Sequence, residues 1–526
     1  MTDLHTNIQM QPPTEKRLSR SAFLPALLGA AVFLYLRTFL LSGIPFVAHD
    51  DQMLFFQRAA RMGHGQVLYR DFFELVTPGV DLLYAAGFRL FGIHAWVMQA
   101  WCVVLGLALF FVVTWIAEKI LHGPMILLPG LLFLVFDFNT ALDPTHHWYS
   151  TLASLAAAGV LMSGASLGRT TAAGLLCGVA TLFTQTQGAM GFAALIFYLL
   201  WLRPSGNPKV GEWRPSVLRQ IAALAVPFVL ILASVLGYYV YKAGFHTIYF
   251  DLVLFAPRYM SSDDFNSVRA YLGQIPAMHG VGDVVRLIPV LFIYAAVPYI
   301  YFAGLYLLWR KRGDLPTGLQ QRLMLLHFVG IGLCLAVATG PRLTRLCTVA
   351  APAVLICGWL VSQPGRAWKV ARYTLCGLVA FFVVLLPVYR QRQWHAVLDL
   401  PTGKTAFIDR SEFQEYEWLA QRTRPSESFF NQGGIGLYLS LDNPTASEFV
   451  NDGEFTRPEQ VDEVIRTLRQ RPPHFIVLSP GGSASFSVHD HSGPFLRYVY
   501  DHYRRVQIFW PDGHSRAEEI WERIGG

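Results

Sequence analysis

Two adjacent carboxylates stand directly after the first long apolar segment of the chain, in the sequence His49-Asp50-Asp51. A carboxyl group at the edge of a bilayer has a raised pKa and is a stronger base, so Asp50 could take a proton from a substrate. Asp51 would then orient the base or bind an ion. Asp is also a favoured helix N-cap, and acidic side chains suit the positive end of the helix dipole. The residues alone leave both interpretations open.

A second acidic candidate lies between two later apolar segments, in FDFNTALDPTHHW at 136–148. Ionisable residues this close to the membrane core are costly and usually face a cavity, which makes Asp137 and Asp143 site candidates. Asp143, followed by proline, equally fits the cap and first turn of the next helix. Because adjacent histidines on a helix point in different directions, His146 and His147 do not predict a metal site.

Two arginines depart from the charge pattern of the other loops, Arg342 and Arg345 in the short turn GPRLTR at 340–345. Arg binds phosphate with bidentate geometry, so both are candidates for holding an anionic headgroup or a phosphate. They could equally snorkel to ordinary lipid phosphate. Arg258 with Tyr259 is a similar candidate, although two aspartates follow closely and could neutralise the charge.

The elements that must position these residues are membrane helices. Of the 526 residues 53% are hydrophobic and only 15% are charged, a composition that indicates a bilayer as the solvent. A spanning helix needs ~20 mostly apolar residues, because its backbone amides must bond within the segment. About eleven segments fit, at 21–42, 95–121, 124–140, 148–168, 171–185, 188–202, 218–241, 286–309, 322–340, 344–362 and 369–388. The fifth and sixth are short and meet at TQTQG, so a broken or re-entrant pair is the alternative.

The basic residues predict the orientation of the bundle, because Lys and Arg near helix ends are retained in the cytoplasm. The first segment is long enough to span and lacks a convincing cleavage site, so we expect it to remain as a helix with its N-terminus inside. The cytoplasmic side then collects Lys16, Arg17, Arg20, Arg203, Lys209, Arg214, Arg219, Arg310, Lys311, Arg312, Arg366, Lys369 and Arg372. The acidic candidates therefore face the exterior.

The predicted organisation is a cytoplasmic tail at 1–20, a transmembrane domain at 21–389 and an exterior α/β domain at 390–526. The transmembrane domain has two long exterior loops, at 43–94 and 242–285. The last part has the composition of a soluble domain. Its helices are expected at 411–422 and 457–471, and a strand at 474–478.

The first exterior loop has two stretches with helical spacing of apolar residues, one at 50–62 and one that opens at Pro78. We predict that both helices lie along the membrane surface.

Several chemistries lack their sequence signature. The chain has no Walker loop, no dinucleotide glycine fingerprint, no zinc-protease motif and no nucleophile elbow. All six cysteines fall in apolar segments, so neither a disulfide framework nor a zinc site is indicated. The net charge of +7 is spread over short loops rather than gathered on one face, and we expect no nucleic-acid partner.

The order of these parts resembles the GT-C superfamily of membrane glycosyltransferases. It is closest to the bacterial branch that contains lipid A aminoarabinose transferase and relatives of the protein O-mannosyltransferases. The acidic pair followed by LYRDFF at 68–73 looks like the family's first exterior loop, and TPG at 77–79 and FRLFG at 88–92 look like its Pro-Pro-Gly and Leu-Phe-Gly segments. LDP at 142–144 is similar to the turn of its second exterior loop, and Arg258-Tyr259 lies where the family often has Arg-Tyr. The similarity covers about the first 390 residues and is strongest over the first 170.

The resemblance implies a GT-C-like bundle of about eleven transmembrane helices with a small C-terminal α/β exterior domain. By that resemblance Asp50 would be the base that deprotonates an acceptor hydroxyl or amine, and Asp143 a supporting acid. Arg258 would hold the polyprenyl phosphate of a lipid-linked sugar donor. The Lys that the family often has before its proline is Thr77 here, so Arg342 or Arg345 is expected to substitute for that cation.

The resemblance also implies a periplasm-facing site in a bacterial inner membrane, and a lipid, glycan or protein as the acceptor. We expect no cofactor, with divalent-metal dependence left open because superfamily members differ in it.

A transporter or flippase is the alternative function. It predicts charges near the membrane midplane and paired interrupted helices in two repeated halves. An O-antigen ligase or polymerase would use similar donors but lacks the double acid after the first helix. A mere anchor for the exterior domain would not explain acidic residues at two membrane exits.

Overall fold

The computed structural model describes residues 20–49, 51–202, 216–255, 257, 287–338, 340–431, 435–445, 458–478, 492–510 and 517–525. These residues form a bundle of apolar helices followed by a smaller region that contains all the β-strands described. The chain is a polytopic membrane protein.

Each of the eleven predicted apolar segments corresponds to a helix or to a helix pair. The helices are α1 (Arg20–Thr38), α4 (Ala95–Ala117), α5 (Gly123–Phe138), α6 (His146–Leu161), α7 (Leu167–Phe183), α8 (Gln185–Trp201), α9 (Val217–Ala243), α11 (Leu287–Arg310), α12 (Thr317–Ala336), α13 (Leu343–Val349), α14 (Ala351–Val361) and α15 (Arg366–Arg392). Within the described ranges, five of them (α4, α9, α11, α12 and α15) are long and apolar enough to cross a membrane. The α13–α14 pair, bent by 60°, would bring the number to six. The number of eleven spans therefore stays a prediction.

The helical conformation is interrupted between α7 and α8, as the sequence suggested. Thr184 is the one residue between them and has an extended backbone, with φ −146° and ψ 110°. A Cβ on Gly188 would lie 2.2 Å from the backbone nitrogen of Thr181, so the two helices approach more closely here than any side chain would allow. The break is thus a packed junction with a glycine at its contact.

The first long loop, which the sequence predicts to be exterior, contains the two predicted helices, α2 (Asp51–Gly63) and α3 (Gly79–Phe91). The apolar side of α2 packs on α3, with the ring centroid of Phe56 4.5 Å from that of Tyr84. Gly92 ends α3 with a left-handed φ of +79°, where its N–H bonds to the carbonyl of Phe88. A short helix, α10 (Phe245–Leu254), begins the second long exterior loop.

The C-terminal region combines short helices and strands, in agreement with the predicted α/β character. Its helices are α16 (Arg410–Ala420), α17 (Ile435–Tyr438), α18 (Pro458–Gln470) and α19 (Gly493–His502). Its strands are β1 (Ala396–Leu400), β2 (Gly403–Phe407), β3 (Phe430–Asn431), β4 (Phe475–Leu478), β5 (Tyr503–Phe509) and β6 (Glu518–Arg523). Strands β1 and β2 form an antiparallel hairpin, and the other four form a sheet in the order β3-β4-β6-β5. The predicted helices at 411–422 and 457–471 and the strand at 474–478 are confirmed.

Among the described residues, the two largest apolar cores organise the fold. The larger runs without interruption from the bundle, for example Phe33 and Phe133, into the hairpin and α16 at Phe407 and Tyr416. The smaller lies between the four-stranded sheet and helices α18 and α19. The hairpin and α16 therefore pack as part of the bundle's core.

A buried glutamate makes the stability of the C-terminal region depend on pH. Burial, reinforced by the nearby Glu518, raises the pKa of Glu415 well above its ordinary value of 4.5. The folded state therefore keeps a proton that the unfolded chain releases, and stability falls as pH rises from about 4.5 towards the folded pKa. We expect Glu415→Gln to flatten this dependence in thermal unfolding of the whole protein in detergent at a series of pH values. Glu417→Gln, on the same helix, is the matched control and should keep the wild-type slope.

Candidate active site

The acidic pair stands where the first helix of the exterior loop begins. Asp50 lies outside the described residues. Asp51 is exposed in the first turn of α2, where a carboxylate favours the positive end of the helix dipole. The N-cap interpretation and the catalytic interpretation therefore remain compatible.

A buried ion pair fixes α2 to the chain that follows it. Arg58 and Glu74 are 3% and 1% exposed in their side chains and form a close ion pair. The other carboxylate oxygen of Glu74 accepts a hydrogen bond of 2.8 Å from the N–H of Val76. The Arg58 guanidinium also stands 5.8 Å from the ring of Phe55. Sequence reasoning missed this pair, because each residue alone looks like an ordinary charge in an exterior loop.

The LYRDFF segment at 68–73 shapes the loop. Tyr69 has a left-handed φ of +66°, and its hydroxyl donates a 2.6 Å hydrogen bond to the carbonyl of Val76. Asp71 accepts two hydrogen bonds from the Arg70 guanidinium and one of 2.7 Å from the N–H of Val67. The hydrogen bond from Arg70 lowers the pKa of Asp71 most strongly. These contacts close a turn, so the segment serves the site by holding Glu74 and its neighbours in place.

The TPG segment at 77–79 docks the loop on the bundle. The hydroxyl of Thr77 donates to the carbonyl of Thr181 at 2.7 Å, and Thr77 is buried. A Cβ on Gly79 would lie 2.5 Å from the carbonyl oxygen of Leu182. Only glycine permits this approach of α3 to the end of α7. The Thr77 hydroxyl thus anchors the loop to the backbone of α7, at the position where a cation was expected.

The turn that carries Asp143 is tied to the first exterior loop by a tyrosine that sequence reasoning missed. The hydroxyl of Tyr84, on α3, donates to the carbonyl of Pro144. The indole N–H of Trp148 donates to the carbonyl of Ala141 at 2.9 Å, and so does the backbone N–H of Asp143. Asp143 itself is half-buried. The first long loop and the Asp143 turn therefore form one wall, although a lone Tyr in an amphipathic helix gives no signal of this contact.

A polar chain links that turn to Arg345. His147 Nδ1 lies 3.2 Å from Gln187 Oε1, and Gln187 Nε2 donates to the hydroxyl of Thr348 at 3.3 Å. The Thr348 hydroxyl donates to the carbonyl of Arg345 at 2.7 Å. The charge of Arg345 acts on the rings of both His146 and His147. Half-buried Arg345 thus lies with the Asp143 turn at one end of the bundle.

Helix α2 reaches the same place from the other side. The ring of Phe55 is 5.1 Å from that of His146, and the charge of Arg58 acts on that ring too. The structure therefore brings together the helix that Asp51 opens, the start of α6 and the helix of Arg345. The cations of this cluster are Arg58 and Arg345, and its acidic residues are Asp51 and Asp143. Such a cluster could hold an anion beside a base.

Other predicted residues stand apart from this cluster or fall outside the description. Arg342 is half-buried at the N-terminus of α13, one turn before Arg345. Arg258 and Tyr259 lie outside the described residues. The described part of their loop reaches Phe255, whose ring packs 4.7 Å from that of Phe73 in the first exterior loop.

Asp137 does not join the exterior cluster. It is fully buried in the π-helical last turn of α5, and among the described residues neither of its carboxylate oxygens has a hydrogen-bond partner. Its charge acts on Tyr301 and Cys357 inside the bundle. The sequence argument that an acid here faces a site therefore applies to Asp143 better than to Asp137.

The residues that the structure describes contain no group of three or more His, Cys, Asp or Glu side chains arranged to hold a metal ion. Asp50 is not among those residues, so the question of a divalent ion stays with experiment.

Solved structures with the same arrangement of elements include two of ArnT from Cupriavidus metallidurans. The structure bound to undecaprenyl phosphate matches 96% of this chain and 97% of that one, with a TM-score of 0.57 and 15% identity. The apo structure matches 95% and 98%, with a TM-score of 0.58 and 14% identity. The apo oligosaccharyltransferase of Archaeoglobus fulgidus matches 94% of this chain and 75% of that one, with a TM-score of 0.51 and 10% identity. The chain has the GT-C fold.

The GT-C fold confirms the resemblance that the sequence motifs indicated, and it extends over the C-terminal region that those motifs did not cover. No protein-family model and no curated protein matches the sequence. At identities this low the comparison establishes architecture, and the chemistry has to be argued from this chain's own residues.

Proposed function

We propose that this chain is a glycosyltransferase that moves a sugar from a polyprenyl-phosphate donor to an acceptor on the periplasmic face of a bacterial inner membrane. The observation that carries the proposal is the cluster of α2, the Asp143 turn and Arg345 at one end of an apolar bundle with the GT-C fold. One neighbour of that fold, ArnT, was crystallised with undecaprenyl phosphate, which supports a lipid-linked donor.

In the proposed reaction Asp50 takes the proton from an acceptor hydroxyl or amine. The acceptor atom attacks the anomeric carbon, the bond from that carbon to the phosphate oxygen breaks, and polyprenyl phosphate leaves with its electron pair. Attack opposite the leaving group inverts the anomeric configuration. Asp51 and Asp143 support the base, while Arg258, Tyr259, Arg342 and Arg345 hold the phosphate. The acceptor is a lipid, a glycan or a protein.

The function is tested with the purified protein in proteoliposomes, supplied with a panel of labelled polyprenyl-phosphate sugars and, separately, with nucleotide sugars. We expect label to pass from a polyprenyl-phosphate sugar to an acceptor in a cell-envelope extract, and not from any nucleotide sugar, since the chain has no nucleotide-binding signature. Consumption of a nucleotide sugar, or no transfer from any donor of the panel, would contradict the proposal.

Transport of a lipid-linked glycan is the second candidate, favoured by the helix interruptions at Thr184 and at the α13–α14 bend. The same proteoliposomes distinguish it. A transporter would move the labelled lipid across the bilayer without breaking its bond to the sugar.

Arg345 allows a test of donor binding that does not depend on turnover. Arg345→Gln should weaken the binding of undecaprenyl phosphate about tenfold, the effect of losing one charge-assisted hydrogen bond. Arg497→Gln, an exposed position on α19, is the control. Equal affinity of both variants for undecaprenyl phosphate, measured by tryptophan fluorescence or calorimetry in detergent, would remove Arg345 from the donor site.

A further inference from the structure

The segment that leads into the acidic pair is paired with a strand of the C-terminal region. Val47 donates its N–H to the carbonyl of Ala406 at 2.9 Å, and Ala406 donates to the carbonyl of Pro45 at 2.9 Å. Phe46 and Ala406 form a parallel β-bridge. Residues 45–47 therefore continue the β1–β2 hairpin as a third, parallel partner on β2.

The next backbone group is held by a side chain of the same region. The N–H of Ala48 donates to the hydroxyl of Tyr438 at 2.8 Å, and both residues are buried. A buried N–H without a partner is costly, so this hydroxyl fixes the chain shortly before Asp50. The carbonyl of Tyr438 in turn accepts a 3.3 Å hydrogen bond from the hydroxyl of Thr402.

The side chain next to the acidic pair also reaches the C-terminal region. His49 Nδ1 lies 3.4 Å from Glu412 Oε1. Glu412 is in the first turn of α16, where the Asp409 carboxylate accepts hydrogen bonds of 2.8 and 2.9 Å from Ser411 and Glu412. The cap holds the backbone that carries Glu412, so the contact to His49 comes from a fixed point.

The membrane bundle holds the opposite side of the same segment. Gln99 on α4 donates to the carbonyl of Phe46 at 2.9 Å, and the Arg390 guanidinium at the end of α15 stands 4.2 Å from the Phe46 ring. The N–H of Ala95, at the start of α4, donates to the carbonyl of Thr402 at 3.0 Å. Residues 45–49 are thus held between two parts of the fold.

We infer that the C-terminal region fixes the segment that leads into the acidic pair, with Tyr438 and Glu412 as positioning residues for residues 45–49. The inference rests on the proposed function for the identity of the base. In transferases, a misplacement of about 1 Å at a reacting group can cost about 100-fold in rate. A hydrogen bond to the backbone two residues before the base is a contact through which the C-terminal region can exert that control.

The test compares Tyr438→Phe and Glu412→Gln with two matched controls in sugar transfer. Tyr416→Phe removes an equally buried hydroxyl one ring away, 5.8 Å from the Tyr438 ring, and Glu417→Gln removes another acid of the same helix. We expect each positioning variant to lower kcat about tenfold with the donor KM unchanged, because binding contacts remain and only the base moves. The controls should keep wild-type kcat. Wild-type kcat in both positioning variants, or equal losses in the controls, would overturn the inference.

A second measurement does not need activity. Amide hydrogen exchange in the full-length protein should show Val47 and Ala48 protected in the wild type and Ala48 exchanging faster in Tyr438→Phe, with Tyr416→Phe unchanged. Failure of every donor in the transfer assay would then overturn the proposed function while the exchange result still decides whether the C-terminal region holds this segment. Rapid exchange at these amides in the wild type would reject the positioning role whatever the reaction is.

Discussion

Replacing Asp50 by Asn is expected to lower kcat for sugar transfer by about 10²- to 10⁴-fold, the usual contribution of a general base. Asn keeps the size and the hydrogen-bonding oxygen of the side chain but cannot accept a proton from the acceptor. Donor binding should be retained, because the proposed function assigns the charge that faces the phosphate to the arginines. The measurement is single-turnover transfer from a polyprenyl-phosphate sugar, together with the affinity for undecaprenyl phosphate.

Asp399→Asn is the matched control, since Asp399 is an exposed carboxylate on β1 of the C-terminal region. It should transfer at the wild-type rate. Equal thermal midpoints for both variants would exclude misfolding as the cause of a loss. Unimpaired transfer by Asp50→Asn would remove Asp50 from the mechanism and shift the search to Asp51 and Asp143.

The membrane part of the fold could be predicted because its rule is local. Each apolar segment must satisfy its own backbone, so about 20 consecutive apolar residues indicate a helix without knowledge of its neighbours. The break at TQTQG was visible for the same reason, since these five polar or small residues interrupt an apolar run and Thr184 indeed separates two helices. In the C-terminal region, helices at 411–422 and 457–471 were visible from their start signals and periodicity.

The contacts that build the candidate site are long-range, and no local pattern marks them. On α2, Met53, Phe56 and Ala60 are buried, as their spacing predicts, but Arg58 is buried with them. A sequence reader assigns such an arginine to solvent, because its burial depends on Glu74 in a later turn. The hydrogen bond from Ala48 to Tyr438 joins residues that are 390 positions apart in the sequence, so it could be found only in the folded structure.

Thr77 shows how a motif can be identified correctly and its role misjudged. The family resemblance suggested that a cation was missing beside the proline. In the structure Thr77 is buried and bonded to the backbone of α7, while Gly79 allows the close approach of α3. The segment provides the space in which α3 docks on the end of α7. Positive charge is instead present on Arg58 and Arg345, whose fields meet at His146. The roles of the predicted site residues stay predictions for the assays above.

Breaking the buried pair between Arg58 and Glu74 should produce the largest loss of stability. Either Arg58→Met or Glu74→Gln leaves one partner buried without its counter-charge, which costs about 3–5 kcal/mol. Gln at 74 can still accept the N–H of Val76, so a loss in that variant would report the charge rather than the hydrogen bond. Unfolding of the full-length protein in detergent, by heat and by denaturant, measures the effect.

The exposed pair of Arg471 and Asp442, 56% and 44% exposed with N and O 2.6 Å apart, supplies the control. Arg471→Met should cost at most about 1 kcal/mol, because water screens a surface pair. If Arg58→Met were no more harmful than Arg471→Met, the pair could not be what holds α2 in place. A large loss with a matching fall in transfer by the remaining folded protein would mean more. Because α2 begins at Asp51 and contacts His146 through Phe55, that result would show that the Arg58–Glu74 pair sets the distance between α2 and the helix that carries Arg345.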